Sequence, residues 1–217
     1  MTNTIEKRGS LHGVETRSAD GKRTLIGYAA VWNSDTTIGD YFIERIAPGA
    51  FSKAIGGDIL ALYDHDMGRV LGRTRSKTLR LAEDSHGLKV EIDVPDTSDG
   101  NDLWVLVERG DVAGMSFAFR ATKQEWDDTL GDLPRRTVLE AELYEVTATA
   151  NPAYPDTTLA ARSLEAARNE LDQARKDAEK RATDAAAAKR RVAEREARQE
   201  QKIRGIQSPD GDGQGAS

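Results

Sequence analysis

The decapeptide Asp111-Val-Ala-Gly-Met-Ser-Phe-Ala-Phe-Arg120 sorts its side chains with a period of two. That period is the signature of a β-strand, and it commits the body of this chain to sheets. Met115, Phe117 and Phe119 fall on one face, and Gly114, Ser116 and Ala118 fall on the other. The large apolar face has to be covered by a second layer. The opposite face carries a hydroxyl flanked by Gly and Ala, so a peptide backbone has room to approach it. The same period recurs in Gly87–Val94, where Leu88, Val90, Ile92 and Val94 oppose Lys89, Glu91 and Asp93. Further strands are expected over Thr24–Asn33, Ile43–Ile46, Ile59–Tyr63 and Thr137–Ala150. Gly68–Thr74 and Lys77–Ala82 read as a pair of strands around a polar turn. Two short helices are expected, one over Pro48–Ile55 with its proline in the first turn, the other over Asn101–Arg109 with Gly110 as its stop. Residues 122–136 read as a charged excursion. Asn151-Pro-Ala-Tyr-Pro155 closes the body, because prolines cannot join a central ladder. The expectation is a mainly β fold, a compact barrel or sandwich with short peripheral helices.

From Leu159 the composition changes. Ala, Arg, Glu, Lys and Gln dominate through Arg204 without a Gly or Pro, and these are the strongest helix formers. Such a helix extends roughly 60 Å. Its heptad trace, Leu164, Leu171, Ala178, Ala185 and Val192, is thin. A weak coiled-coil seam and a solvated helix held by i,i+4 ion pairs are both open readings. The expected organisation is a flexible segment 1–23, a domain 24–158, a helical tail 159–204 and a disordered, Gly/Asp/Ser-rich end 205–217. Residues 1–160 carry 18 basic and 26 acidic side chains, whereas residues 161–204 carry 13 and 9. The mildly basic tail has no aromatic residue and mixes both signs, which argues against a dedicated nucleic-acid binder. The chain has no Cys, which excludes a thiol nucleophile, a disulfide framework and a Cys-ligated zinc site. No apolar run approaches the ~20 residues of a membrane span. The first residues contain no apolar signal-peptide core.

The chemistry-bearing candidates are few. A serine hydroxyl is a poor nucleophile until a base takes its proton. Ser116 is therefore meaningful only with a histidine near it, and a purely structural serine is the alternative. Of the three histidines, His12 lies in the loose N-terminal segment and His86 in a turn before a strand. His65, at the end of the apolar strand Ile59–Tyr63, is the better base candidate, against the alternative of a loop histidine bridging Asp64 and Asp66. Glu145 stands where strict alternation places it on the apolar face of Leu139, Ala141 and Leu143. A carboxylate there needs a partner, either His65 or a structural arginine. Arg69, Arg73, Arg135 and Arg136, or a backbone amide, are the candidate donors for an oxyanion.

Several segments together resemble the prohead (capsid maturation) proteases of tailed phages, of the HK97 type. In order they are Gly27-Tyr-Ala-Ala-Val-Trp-Asn33, Glu44-Arg-Ile-Ala-Pro-Gly-Ala-Phe51 and Leu62-Tyr-Asp-His-Asp66 with Leu71-Gly72. Then come Gly87-Leu-Lys-Val90 with Asp96-Thr97, Gly110-Asp-Val-Ala-Gly-Met-Ser-Phe-Ala-Phe119, and Tyr144-Glu-Val-Thr-Ala-Thr-Ala-Asn-Pro-Ala-Tyr154. The resemblance covers about residues 24–158. It implies a serine endopeptidase with an assemblin-like β-barrel, a catalytic Ser116 and His65, and a third residue after the serine. Assemblins use a second histidine in that place; none follows His86 here, and Glu145 is the substitute. No cofactor or metal is expected. The implied partner and substrate is a major capsid protein or scaffold segment, cut inside the immature capsid in the host cytoplasm, with self-processing. The helical tail would serve self-association or shell docking. The rival from another class is an inactive protease-like domain that acts as a scaffold through its tail.

Overall fold

The computed structural model describes residues 4–10, 13–129, 132–152 and 157–206. The strands are β1 (Glu6–Ser10), β2 (Glu15–Ala19), β3 (Lys22–Val31), β4 (Thr36–Ile38), β5 (Phe42–Ile46), β6 (Leu60–Tyr63), β7 (Asp66–Arg73), β8 (Leu79–Glu83) and β9 (Gly87–Asp93). Helix α1 (Ser98–Arg109) follows, then the long strands β10 (Gly114–Asp127) and β11 (Arg135–Thr149), then helix α2 (Thr157–Ile206). Among the described residues the strands form a seven-stranded sheet, ordered β1-β10-β11-β5-β4 with β6 paired to β11 and β7 to β6, and a four-stranded sheet, β2-β3-β9-β8. The fold is mainly β with a long C-terminal helix, as expected. The sheets are not closed into a barrel: β1 and β4 end one sheet, and β2 and β8 end the other.

The apolar faces meet in one core. Met115, Phe117 and Phe119 of β10 pack there with Leu88, Val90 and Ile92 of β9, the two alternating patterns read from the sequence. Phe51 stacks edge-to-face on Phe117 at 5.4 Å between ring centres. Helix α1 starts at Thr97, whose hydroxyl accepts the Gly100 amide, and stops at Gly110, whose φ of 81° is the left-handed cap.

Four further expectations differ from the structure. The first 23 residues hold strands β1 and β2 rather than loose chain. Pro48–Ile55 is a run of turns, not a helix. Gly49 leaves the helical region at φ 83°, and the Ala50 carbonyl accepts the Ala141 amide of β11 instead of continuing a helix. The expected pair over Gly68–Thr74 and Lys77–Ala82 splits, with β7 joining β6 and β8 joining β9. The excursion 122–136 is largely strand, because β10 and β11 extend into a long hairpin.

The chain divides into two units, residues 1–167 and 168–217. The first turns of α2 belong to the first unit. Leu164 packs with Ile38 and Phe42, and Trp126 lies against them. In the second unit α2 runs on with side chains exposed through residue 200 and with i,i+4 pairs such as Arg190–Glu194 at 3.0 Å. Most of the segment 205–217 lies outside the described residues; its first two residues end α2.

Candidate active site

The site is built on the second half of β11. That strand pairs antiparallel with β10 along one edge, with Ser116 opposite Thr147 and Ala118 opposite Glu145. Along its other edge it pairs parallel with β6, with Glu145 beside Leu60 and Thr147 beside Leu62. Three neighbouring strands thus bring residues about 50 and 80 positions apart within reach of one another.

The register explains the facing of Glu145. Phe119 opposes Leu143 but Ala118 opposes Glu145, so Tyr144 is an extra residue, a β-bulge. Residues opposite each other across a ladder share a face. Leu143 therefore goes with Phe119 into the core, and Glu145 goes with Ala118, Ser116 and Thr147 onto the other face. Strict alternation had put Glu145 beside Leu143; the bulge reverses that and turns the carboxylate toward the serine.

His65 sits at the tip of the β6–β7 hairpin. Tyr63 pairs with Asp66, leaving Asp64 and His65 as a two-residue turn. Their φ angles are 53° and 60°. Positive φ at both central residues defines the type I′ hairpin turn, which favours Asn-Gly and strains a histidine. β11 holds the tip in place. The His65 amide donates to Thr147 Oγ1 at 3.0 Å, and that hydroxyl donates to the Leu62 carbonyl at 2.9 Å. Thr149 Oγ1 donates to Asp64 Oδ1 at 2.7 Å, and the Asp64 amide donates to the Ala148 carbonyl at 3.0 Å.

The side chains then line up. His65 Nε2 is 2.8 Å from Ser116 Oγ, and His65 Nδ1 is 2.5 Å from Glu145 Oε1. Ser116 is 2% exposed and Glu145 6%, so the relay is shielded from bulk water. Glu145 Oε2 is buried with no hydrogen-bond partner among the described residues, so the ring is the group that answers this carboxylate. The hydroxyl of Ser116 also donates to the backbone carbonyl of Arg8, on β1, at 2.7 Å.

The structure thus brings together Ser116, His65 and Glu145. The aspartates flanking His65 are otherwise engaged: Asp64 binds Thr149 and Asp66 accepts the Gly68 amide. His12 lies outside the described residues, and His86 packs edge-on against Tyr28 at 4.6 Å. The four arginines are held by other groups. Arg69 binds Asp99 and covers the Tyr63 ring, Arg73 binds Asp58, Arg135 binds Asp35, and Arg136 is buried between Glu6 and Glu44. Thr147 and Thr149 were given no role by the sequence reading. The signal was present: together with Glu145 they repeat at a period of two past the bulge, on the face of the serine.

A sequence profile of the caudovirus prohead serine protease family matches residues 12–170, well over half of the chain. The chain belongs to that family. No curated protein and no solved structure matches it. As a prohead serine protease it is a member of the maturation machinery that works on capsid protein inside the immature shell, in the host cytoplasm. Among the described residues no helix is long and apolar enough to cross a membrane.

Proposed function

We propose that this chain is an active serine endopeptidase in which Ser116 is the nucleophile, His65 the general base and Glu145 the group that orients and stabilises the imidazolium. The observation that carries this reading is the unbroken relay from Ser116 Oγ through the His65 ring to Glu145 Oε1 at 2.8 and 2.5 Å. When a substrate carbonyl meets Ser116, Oγ bonds to its carbon and the hydroxyl proton passes to His65 Nε2. Nδ1–H stays on Glu145, whose charge faces the new imidazolium. The imidazolium then gives its proton to the leaving amine, and the C–N bond breaks. Water repeats the cycle on the acyl-enzyme and frees the serine. With the four candidate arginines engaged elsewhere, a backbone amide supplies the oxyanion contact.

The substrates are segments of the major capsid protein or scaffold, and the chain itself. Helix α2 beyond residue 167 carries the protease into the assembling shell; its exposed, doubly charged surface suits a transient internal partner rather than a core of its own. The test is Ser116→Ala, co-expressed with the capsid protein and followed by intact mass. Wild type should shorten both the capsid protein and itself. The variant should leave both at full length while shells still form and its circular dichroism is unchanged. Cleavage by the variant at the wild-type rate refutes the assignment. Failure of shells to assemble with the variant favours the scaffold role.

A further inference from the structure

Strand β1 covers the proposed nucleophile in a specific way. It pairs antiparallel with the outer edge of β10, with Gly9 opposite Ser116, Arg8 opposite Phe117 and Glu6 opposite Phe119. The Arg8 carbonyl, which begins the Arg8–Gly9 peptide bond, is the group that Ser116 Oγ touches at 2.7 Å. Two side chains of β1, Glu6 and Arg8, are charged and buried. Arg8 places Nε and Nη2 on the two oxygens of Glu44, at 2.7 and 3.2 Å. Glu6 takes both terminal nitrogens of Arg136, at 2.6 and 2.7 Å. Arg8 Nη2 also reaches Glu6 Oε2 at 2.8 Å, and Arg8 Nη1 donates to the Lys7 carbonyl.

Two features separate this strand from an ordinary sheet edge. The first is charge. The cluster holds two arginines and two glutamates, and β1 supplies one of each. If β1 leaves, Glu44 and Arg136 remain paired at 2.8 Å, so its departure strands no buried charge. The second is Gly9. A Cβ on that residue would fall 1.6 Å from the Pro152 carbonyl oxygen, so the position following Arg8 accepts no side chain.

We propose that β1 is a substrate strand held in cis. It fills the groove along β10 that a peptide substrate takes; Glu44 selects a basic residue at the carbonyl to be cut, Arg136 an acidic residue two positions before it, and the Pro152 carbonyl a glycine after it. The proposal rests on the protease reading. The addition of a strand to a sheet edge gives affinity through the main chain, and the pockets for alternate side chains give selectivity. Occupation by β1 also holds the enzyme off. A hydroxyl has one proton, and in this arrangement it is directed at the Arg8 oxygen. With that proton on the Arg8 oxygen, Oγ directs none at His65 Nε2 while β1 is in place, and the base has no proton to take. A trans substrate of the same chemistry displaces β1 and presents its carbonyl carbon instead.

The test compares the intact chain with Gly9→Val, which lifts β1 from β10 without altering the three relay residues. A fluorophosphonate probe reports how free Ser116 is to react. Labelling of Ser116 should be roughly tenfold faster in the variant, as expected when a covered state dominates the wild type, and a synthetic hexapeptide of residues 5–10 should slow it again. Equal labelling in the two chains, or no effect of the hexapeptide, overturns the cis-substrate proposal and leaves the protease reading standing. No label on Ser116 in either chain removes the protease reading itself. Because Gly9→Val is able to disturb folding, fluorogenic peptides on the intact chain give a second measurement. Peptides carrying Glu-Lys-Arg before the bond and Gly after it should be cut roughly thirtyfold or more faster, in kcat/KM, than versions with Arg replaced by Glu, the scale of losing one buried charge pair. Equal rates overturn the assignment of Glu44.

Discussion

Thr147→Val is the perturbation that most directly tests how the fold holds its histidine. Valine has nearly the shape of threonine, so the fully buried site keeps its packing and loses only a hydroxyl. That hydroxyl accepts the His65 amide and donates to the Leu62 carbonyl. The carbonyl keeps a second lone pair for the ladder, so the orphan that matters is the His65 N–H. A buried donor left without a partner costs about 1–3 kcal/mol. His65 is only half-buried, so the lower part of that range applies, about 1–2 kcal/mol. The turn that the bond secures stores strain of the same size, since a non-glycine residue in the left-handed region costs about 1–2 kcal/mol. With the bond gone and the strain unopposed, the tip relaxes toward ordinary φ and the ring moves off Ser116. A displacement of about 1 Å in a reacting group costs about 100-fold in rate. Urea unfolding should therefore show a loss of about 1–2 kcal/mol with an unchanged m-value. Steady-state cleavage should show a fall in kcat with KM little changed. Thr147→Ser keeps the hydroxyl and should keep most of kcat. A valine variant within about 0.5 kcal/mol of wild type, the scatter of neutral substitutions, and with unchanged kcat refutes the argument.

Two further predictions follow from the buried charges and from α2. Burial works to raise the Glu6 carboxyl, but the hydrogen bonds and charge of Arg136, and then of Arg8, outweigh it and hold the group below its ordinary value of 4.5. A depressed carboxylate adds stability that is full above its unfolded pKa and drains away as pH falls through the lower folded value. Glu6→Gln should accordingly flatten the stability-against-pH curve measured below about pH 4.5, and a curve as steep as wild type counts against the network. A stop codon after Ala167 should leave a folded domain that still cleaves a supplied peptide but enters particles poorly. A stop after Arg162 also removes Leu164 from Ile38 and Phe42 and should cost about 2 kcal/mol more by thermal or urea unfolding. Equal stability of the two truncations would place the boundary earlier in α2.

What was legible in the sequence was whatever depends on local period. The alternation through Met115–Phe119 and Leu88–Ile92 gave the core faces, because a one-residue slip would turn every apolar side chain to the wrong side. The change of composition after Leu159 gave the helix. The features that escaped depend on non-local pairing. β1 is short and charged and reads as loose chain, since Glu6 and Arg8 look like surface residues until Glu44 and Arg136 arrive from strands 36 and 130 positions away. β7 and β8 looked like a hairpin because the turn between them is real: the Thr78 amide does donate to the Arg73 carbonyl. β8 nevertheless finds its partner in β9, in the other sheet. Pro48–Ile55 has helical composition, but the Ala50 carbonyl is claimed by β11.

Glu145 shows how a pairing can be reached by an incomplete reason. Its pairing with His65 was inferred from a carboxylate on an apolar face, and the bulge at Tyr144 means that it never lies on that face. The bulge is what aims the site. Without it, Glu145 would point into the core beside Leu143, and Thr147 and Thr149 would turn away from the β6–β7 tip with it. One extra residue re-aims three polar side chains at once, toward the serine's own face of β10 and the strained turn that carries the histidine. Below the bulge Phe119 on Leu143 and Ala121 on Ala141 keep one register, and the ladder shifts again only beyond them, around Lys123. A strand that is a core element at one end and carries polar side chains on the opposite face at the other needs such a break in alternation. Single-sequence reading by period cannot see it, because the period is the thing being broken.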